Sequence, residues 1–178
     1  MTKAKWNLDL AHSEVGFSVK HMMISTAKGT FDKFDAVVEA DVEDLTDAKI
    51  EVTVDTSSVN TRNADRDNHL RSADFFDVEN HPTLTFVATD IKNKGGNNYD
   101  VTGDLTLNGT TKPVTLDVTF AGQSKDPMSG STVAGFSGVT KISRKEFGLT
   151  WNAAVETGGV LVSDEVKIHF ELELQKAE

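Results

Sequence analysis

Six runs of this chain alternate apolar and polar residues with a period of two, and that alternation confines it to a β fold with one buried sheet face. In VGFSVKH (15–21), Val15, Phe17, Val19 and His21 share one face, while Gly16, Ser18 and Lys20 share the other. The pattern recurs in KIEVTVD (Ile50, Val52, Val54), TLTFVAT (Leu84, Phe86, Ala88), YDVTGDLTL (Tyr99, Val101, Gly103, Leu105, Leu107), VTLDVTF (Val114, Leu116, Val118, Phe120) and VKIHFELEL (Val166, Ile168, Phe170, Leu172, Leu174). Successive side chains of a strand point to opposite sides, so each run has a face that must leave water and a face that stays in it. Gly and Asn fall between runs at hairpin spacing, in 94–98 (KGGNN) and in Asn108-Gly109, which makes neighbouring strands antiparallel. One antiparallel sheet hides a face by closing on itself, and closure also removes its edges. Many short strands with regular turns suit a sandwich or a barrel, and closure favours an all-β, antiparallel barrel.

Length and composition narrow the function classes. The 178 residues suit a single domain spanning 1–178. With 18 basic and 28 acidic residues the net charge is −10, which repels nucleic acid and anionic membrane surfaces. Nucleic acid is therefore not an expected partner. Cysteine is absent, so disulfides, thiolate metal sites and thiol nucleophiles are excluded. No window approaches the roughly 18 apolar residues of a spanning helix, so the chain is not expected to cross a membrane. MTKAKWNLDL carries no apolar leader, and with Met1 as the start the expected location is the cytoplasm. A two-fold dimer through strand edges or a cavity rim is compatible with such a fold.

The stretch RNADRDNHLRSADFF (62–76) breaks the alternation. Asp65 with His69 and Asp67 with Arg71 stand four apart, at helical ion-pair spacing, and Ser57, Ser58 and Thr61 offer capping oxygens. A short solvated helix is expected, inserted between strands, with Phe75 and Phe76 turned inward as the floor or gate of a barrel. In the alternative, Arg66 or His69 faces a ligand head group.

Motifs for catalysis are missing. HExxH, GxGxxG and GxxxxGK[ST] do not occur. GFSGV (135–139) ends on Val139 and fails the nucleophile-elbow pattern; DVEDLTD (41–47) has Leu45 and Thr46 where a calcium loop needs an oxygen ligand and a glycine. His169 belongs to the polar face of the last strand, and His81, before Pro82, reads as a turn residue. A metal or catalytic set of His12, His21 and Asp9 is conceivable, and it defines the enzymatic alternative: chemistry on a hydrophobic small molecule. No spacing singles it out, and no cofactor or metal is expected. His21, which shares parity with Phe17 and Val19, reads better as a polar group beside an apolar cavity.

Several blocks in order carry a family resemblance. Trp6-x-Leu8-Asp9, His12-Ser13-x-Val15-x-Phe17-x-Val19-x-His21 and Lys28-Gly29-x-Phe31-x-x-Phe34 resemble the opening of the YceI-like, lipocalin-like polyisoprenoid-binding family. Ser58-Val59-x-Thr61, Arg66-Asp67-x-His69-Leu70-Arg71-Ser72-x-Asp74-Phe75-Phe76-Asp77 and Pro82-x-x-x-Phe86 are similar to its middle signature. Gly103-x-Leu105-Thr106-Leu107-x-Gly109-x-Thr111-Lys112 and Ile142-x-Arg144-x-x-Phe147-Gly148 resemble its later blocks. The likeness runs from Trp6 to about Leu174. It implies an antiparallel lipocalin-like β-barrel with a short helix inserted between strands, whose apolar cavity holds a polyisoprenoid or similar long-chain lipid, an isoprenoid quinone among them. It also implies a binding protein and not an enzyme. Many members carry a secretion signal, which this sequence lacks.

From the residues themselves, ten phenylalanines against one tyrosine is the choice of a dry interior, since Phe gives bulk without a hydroxyl to satisfy. The expected ligand-binding residues are Phe17, Val19, His21, Phe31, Phe34, Phe75, Phe76, Phe86, Leu105, Phe136, Ile142 and Trp151. A third reading is a barrel filled by these side chains, acting through surface partners.

Overall fold

A computed structural model describes residues 3–22, 24–41, 44–150 and 162–177. In chain order its strands are β1 (Ala4–Leu8), β2 (Glu14–His21), β3 (Ser25–Phe31), β4 (Phe34–Asp41), β5 (Asp44–Asp55), β6 (Val59–Asn60), β7 (Thr83–Gly95), β8 (Asn98–Leu107), β9 (Thr110–Lys125), β10 (Thr132–Ser143) and β11 (Val162–Lys176). One helix, α1 (Ala64–Arg71), lies between β6 and β7. All pairings are antiparallel, and β11 pairs with β1 to close the sheet.

The eleven segments form eight full strands, because β1–β2, β3–β4 and β5–β6 are each one strand interrupted by a bend. β1 and β2 pair with the same edge of β11, Leu8 opposite Leu174 and Phe17 opposite Ile168. Their bend is a 3₁₀ turn at Leu10–His12, where the Asp9 carboxylate accepts from the Ala11 N–H at 3.1 Å. The bend at Thr56–Ser58 repeats the device with Asp55 accepting from the Ser57 N–H at 3.0 Å. In both, a short carboxylate satisfies a backbone donor that the ladder has released.

Connections alternate between the two ends of this up-and-down barrel. One end carries the end of β2, the α1 segment (61–82), Asn108-Gly109 and the end of β10; the other carries the start of β1, the end of β11, the β7–β8 hairpin and 126–131. Asn108 (φ 53°) and Gly109 (φ 76°) both take left-handed backbone, as a two-residue hairpin turn requires. Among the described residues no helix is long and apolar enough to cross a membrane.

The helix forms where expected, but its ion pairs differ from the sequence expectation. Asn63, and not Ser57, Ser58 or Thr61, caps it, accepting from the Arg66 N–H at 3.0 Å. Asp67 is buried and accepts from both the N–H (2.8 Å) and the hydroxyl (2.5 Å) of Thr61. Arg71 donates to the Ser57 and Val59 carbonyls at 2.8 and 3.2 Å, and His69 meets Asp74 at 2.9 Å. The reason is local: β6 is only two residues long, and the carbonyls at its end need donors that the helix supplies.

Candidate functional site

Inside the barrel is a cavity of about 380 Å³, within the range of small-molecule sites. Its wall is drawn from the inward parity of the strands: Val15, Phe17 and Val19 on β2, Val52 and Val54 on β5, Leu105 and Leu107 on β8, Ile168, Phe170 and Leu172 on β11. Leu84, Leu116, Ile168 and Phe170 face inward yet are only half-buried, because part of their surface borders the lumen.

Ten of the twelve residues expected from the sequence lie on this wall: Phe17, Val19, His21, Phe31, Phe75, Phe76, Phe86, Leu105, Phe136 and Ile142. Phe34 does not. It packs in a separate buried cluster with Phe31, Val54 and Val59, where the bend between β3 and β4 takes its ring out of the lumen. Trp151 lies outside the described residues. Arg66 and His69, which the alternative reading turned toward a ligand, are also on the wall, and residues that the sequence reading missed there include Leu70, Arg144 and Leu149. The hydrogen bonds from Arg66 to Thr61, within the inserted segment, leave no periodic trace in the sequence.

Three glycines let phenylalanine rings lie flat on the wall. A Cβ on Gly29 would sit 2.5 Å from Phe17 Cζ, and one on Gly103 would sit 2.5 Å from Phe86 Cζ; Gly138 is crowded in the same way by Phe170. Phe17 is the cross-strand partner of Gly29, and Phe170 of Gly138. Each ring occupies the place of the missing side chain, and so lines the lumen without filling it. Phe31 links Phe17 (5.5 Å between centroids) to Phe76 (5.6 Å, edge-on), which joins the barrel wall to the segment after α1.

Polar groups on the wall, Tyr99 apart, gather at the helix end. Thr61, Arg66 and His69 come from the inserted segment, His21 from the end of β2, and Arg144 from the 3₁₀ turn after β10. Arg144 is buried at 3% exposure and donates to the carbonyls of Leu149 (2.6 Å), Ser163 (2.9 Å) and Val162 (3.1 Å). Burial pushes its pKa down, against the pull of Asp164, whose own carboxyl is held below the usual range chiefly by the Ser143 hydroxyl. Arg144 therefore ties together the backbone on both sides of the β10–β11 connection.

The histidines expected to serve the enzymatic alternative are separated. His21 ends β2 at the helix end, whereas His12 precedes β2 and lies outside the cavity. His12 Nδ1 stands 2.7 Å from Asp9 Oδ2 and 3.2 Å from Glu173 Oε2. The ligand atoms of these three lie within 4.8 Å of one another, so they are the described residues best placed to share a cation. Their evident role is a clamp: His12 raises no barrier to solvent at 70% side-chain exposure, but its imidazole joins the first bend to β11. The hydrogen bond from His12 holds Asp9 below the usual carboxylate range, and the same bond, with the charge of Glu173, raises His12. His169, on the polar face of the last strand, stands against Gly16, and His81, read as a turn residue, packs on the Gly109 turn.

Comparison with known proteins gives a consistent picture. The family model described as a YceI-like domain matches residues 6–174. A UPF0312 protein of Staphylococcus epidermidis is 46% identical over 92% of both chains, and one of Staphylococcus aureus is 42% identical over 97% of this chain and 98% of its own. Among solved structures, Burkholderia cenocepacia BcnA superposes with a TM-score of 0.82 at 32% identity, over 93% of this chain and 98% of that one. A Campylobacter jejuni YceI protein gives 0.77 at 34% identity, over 96% and 97%. A domain from Saccharophagus degradans described as polyisoprenoid-binding gives 0.72 at 16% identity, over 97% and 98%, a likeness of fold. With the motif blocks, the closed barrel and these matches in agreement, the chain belongs to the YceI-like family.

Proposed function

We propose that this protein is a non-enzymatic carrier or store for a polyisoprenoid or similar long-chain amphiphile, held in the barrel cavity. The observation that carries the reading is the lumen itself: about 380 Å³ bordered by inward-facing aliphatic and aromatic side chains that keep apolar surface uncovered. Such surface favours an apolar occupant. The polyisoprenoid-binding description of the Saccharophagus degradans domain, which shares this fold, supports a chain-like one. Burying roughly 400 Å² of isoprenoid at about 25 cal/mol per Å² contributes on the order of 10 kcal/mol before association and chain-ordering costs. The tail alone thus accounts for useful affinity, and a family of related ligands, isoprenoid quinones included, fits the same lumen.

The test is to shorten the lumen from inside. Leu116→Trp places an indole on the wall between the strands β8 and β10. It is expected to weaken geranylgeraniol by at least about tenfold while leaving the shorter geraniol little changed. An unchanged affinity for geranylgeraniol in a folded Leu116→Trp protein would mean that the chain binds elsewhere.

A further inference from the structure

At the turn between β2 and β3 the Ile24 N–H donates to the His21 carbonyl at 3.2 Å, and two apolar side chains face water: Met22 is 41% exposed and Ile24 83%. Neither is on the cavity wall, although Lys20, His21, Ala27 and Lys28, which flank them, all are. The tip therefore stands beside the lumen and not in it. A lone exposed apolar side chain is ordinary, and what distinguishes this pair is its surroundings.

The charge around the tip is of one sign. From residue 15 to residue 31 the chain carries Lys20 and Lys28 and no carboxylate, in a protein with 28 acidic residues. Both lysines belong to the outer face of the hairpin, Lys28 opposite Ser18 and Lys20 opposite Thr26, with Lys20 Nζ 3.1 Å from Thr26 Oγ1. On one flank β6 pairs with β3 at Thr30–Asn60, and exposed Arg62 follows two residues on, where Arg62 and Arg66 outnumber Asp65. On the other flank the acids at the start of β11 are engaged elsewhere: Asp164 accepts from the Ser143 hydroxyl and the Lys145 N–H, and Glu165 meets Lys141 at 3.4 Å. Met128, at the opposite end of the barrel, is 93% exposed but projects from a turn closed by the Asp126 carboxylate, which accepts from its N–H at 2.9 Å.

An apolar tip set among basic side chains, next to an apolar lumen, suits a lipid interface: the aliphatic groups enter the acyl boundary while the cations stay at the level of the phosphates. The net charge of −10 acts at a distance that salt cuts short to about 8 Å at physiological ionic strength, so a bilayer touching the tip meets Lys20, Lys28 and Arg62 first. Given a carried amphiphile, as proposed above, we infer that the protein docks reversibly on an anionic lipid bilayer through the β2–β3 tip, with Met22 and Ile24 entering it, and exchanges its cargo with the membrane at this end.

The experiment sediments full-length protein with sucrose-loaded vesicles of phosphatidylcholine, alone or with roughly 30% phosphatidylglycerol. Wild-type protein is expected to partition onto the anionic vesicles at least about fivefold more strongly than onto the neutral ones, and less so as salt rises. Ile24→Asp should lower that partition by about tenfold, and Lys20→Gln combined with Lys28→Gln should remove most of the difference between the two vesicles. Met128→Asp, at the opposite end, should change neither. In solution Ile24→Asp should hold geranylgeraniol as the wild type does, since Ile24 is off the wall. Wild-type protein that stays in the supernatant, Ile24→Asp that partitions unchanged, or Met128→Asp as damaging as Ile24→Asp would each overturn docking by this tip and leave the carrier reading standing. So would a dimer in analytical ultracentrifugation that Ile24→Asp dissociates, because a second copy would then cover the tip. A wild type that partitions as expected but holds no geranylgeraniol would overturn the carrier reading, and with it the exchange.

Discussion

At the level of single residues, the interior is shaped by what glycine leaves out. Gly29 is opposed by Phe17 Cζ at 2.5 Å and Thr61 Cγ2 at 2.9 Å from the place of a Cβ, so no side chain fits unless the ring moves. Gly29→Ala is therefore expected to destabilise the fold by about 1–3 kcal/mol, the usual cost of overpacking. Shrinking the partner should recover most of it, and a double-mutant cycle of Gly29→Ala with Phe17→Leu in urea unfolding measures that coupling. A neutral Gly29→Ala, or two additive substitutions, would contradict the packing described. This arrangement was not legible in the sequence, where glycine within STAKGTF only weakens the strand pattern. The apolar parity of Phe17, Val19, Phe86 and Leu105 was legible, because alternation reports the face directly. Phe34 shows the limit: its parity is inward, but a bend that periodicity does not encode removes it from the lumen.

At the level of elements, three strands bend and one helix is inserted, and the polar residues at these places do structural work. The first bend is held to β11 by His12 between Asp9 and Glu173, with Asp126 of the β9–β10 loop adding to the field on the imidazole. Because His12 is raised above its ordinary 6.5, its contribution is complete below that value and is lost as the pH rises through the folded value. Asp9 is lowered from 3.8, so its contribution is present above that value and is lost as the pH falls through the folded one. His12→Asn should accordingly lower the Tm between these limits and have a smaller effect at pH well above the histidine range. Equal Tm losses at acidic and alkaline pH would show that the imidazole's charge is irrelevant. The sequence made His12 and Asp9 visible as neighbours but not Glu173, which is brought in by the closing strand pair. Strands β3 and β4 were likewise weak in the pattern: one carries small residues opposite Phe17, and in the other Val37 is apolar on the outer face. The inserted helix was clear from its charge spacing, although its acids and bases bond to the end of β6 and not to one another.

For the whole molecule, closure and cavity follow from one economy. A sheet whose apolar face is continuous closes to hide it, and eight strands leave an interior that side chains either fill or line. Here glycines hold the rings to the wall, the helix end gathers the basic groups of the wall, and no carboxylate is among the described residues that line the lumen. Closure was readable from the alternation and turns; the open lumen was not, because period-two patterning is the same for a filled barrel. The most direct measurement is organic extraction and mass spectrometry of lipid that co-purifies with the protein from its native host, beside a Phe17→Asp variant with an unchanged far-UV spectrum. A long-chain isoprenoid or related amphiphile in near-stoichiometric amount, lost from the variant, is the predicted result. A wild-type protein that carries no lipid, or a variant that retains the same amount, would contradict it.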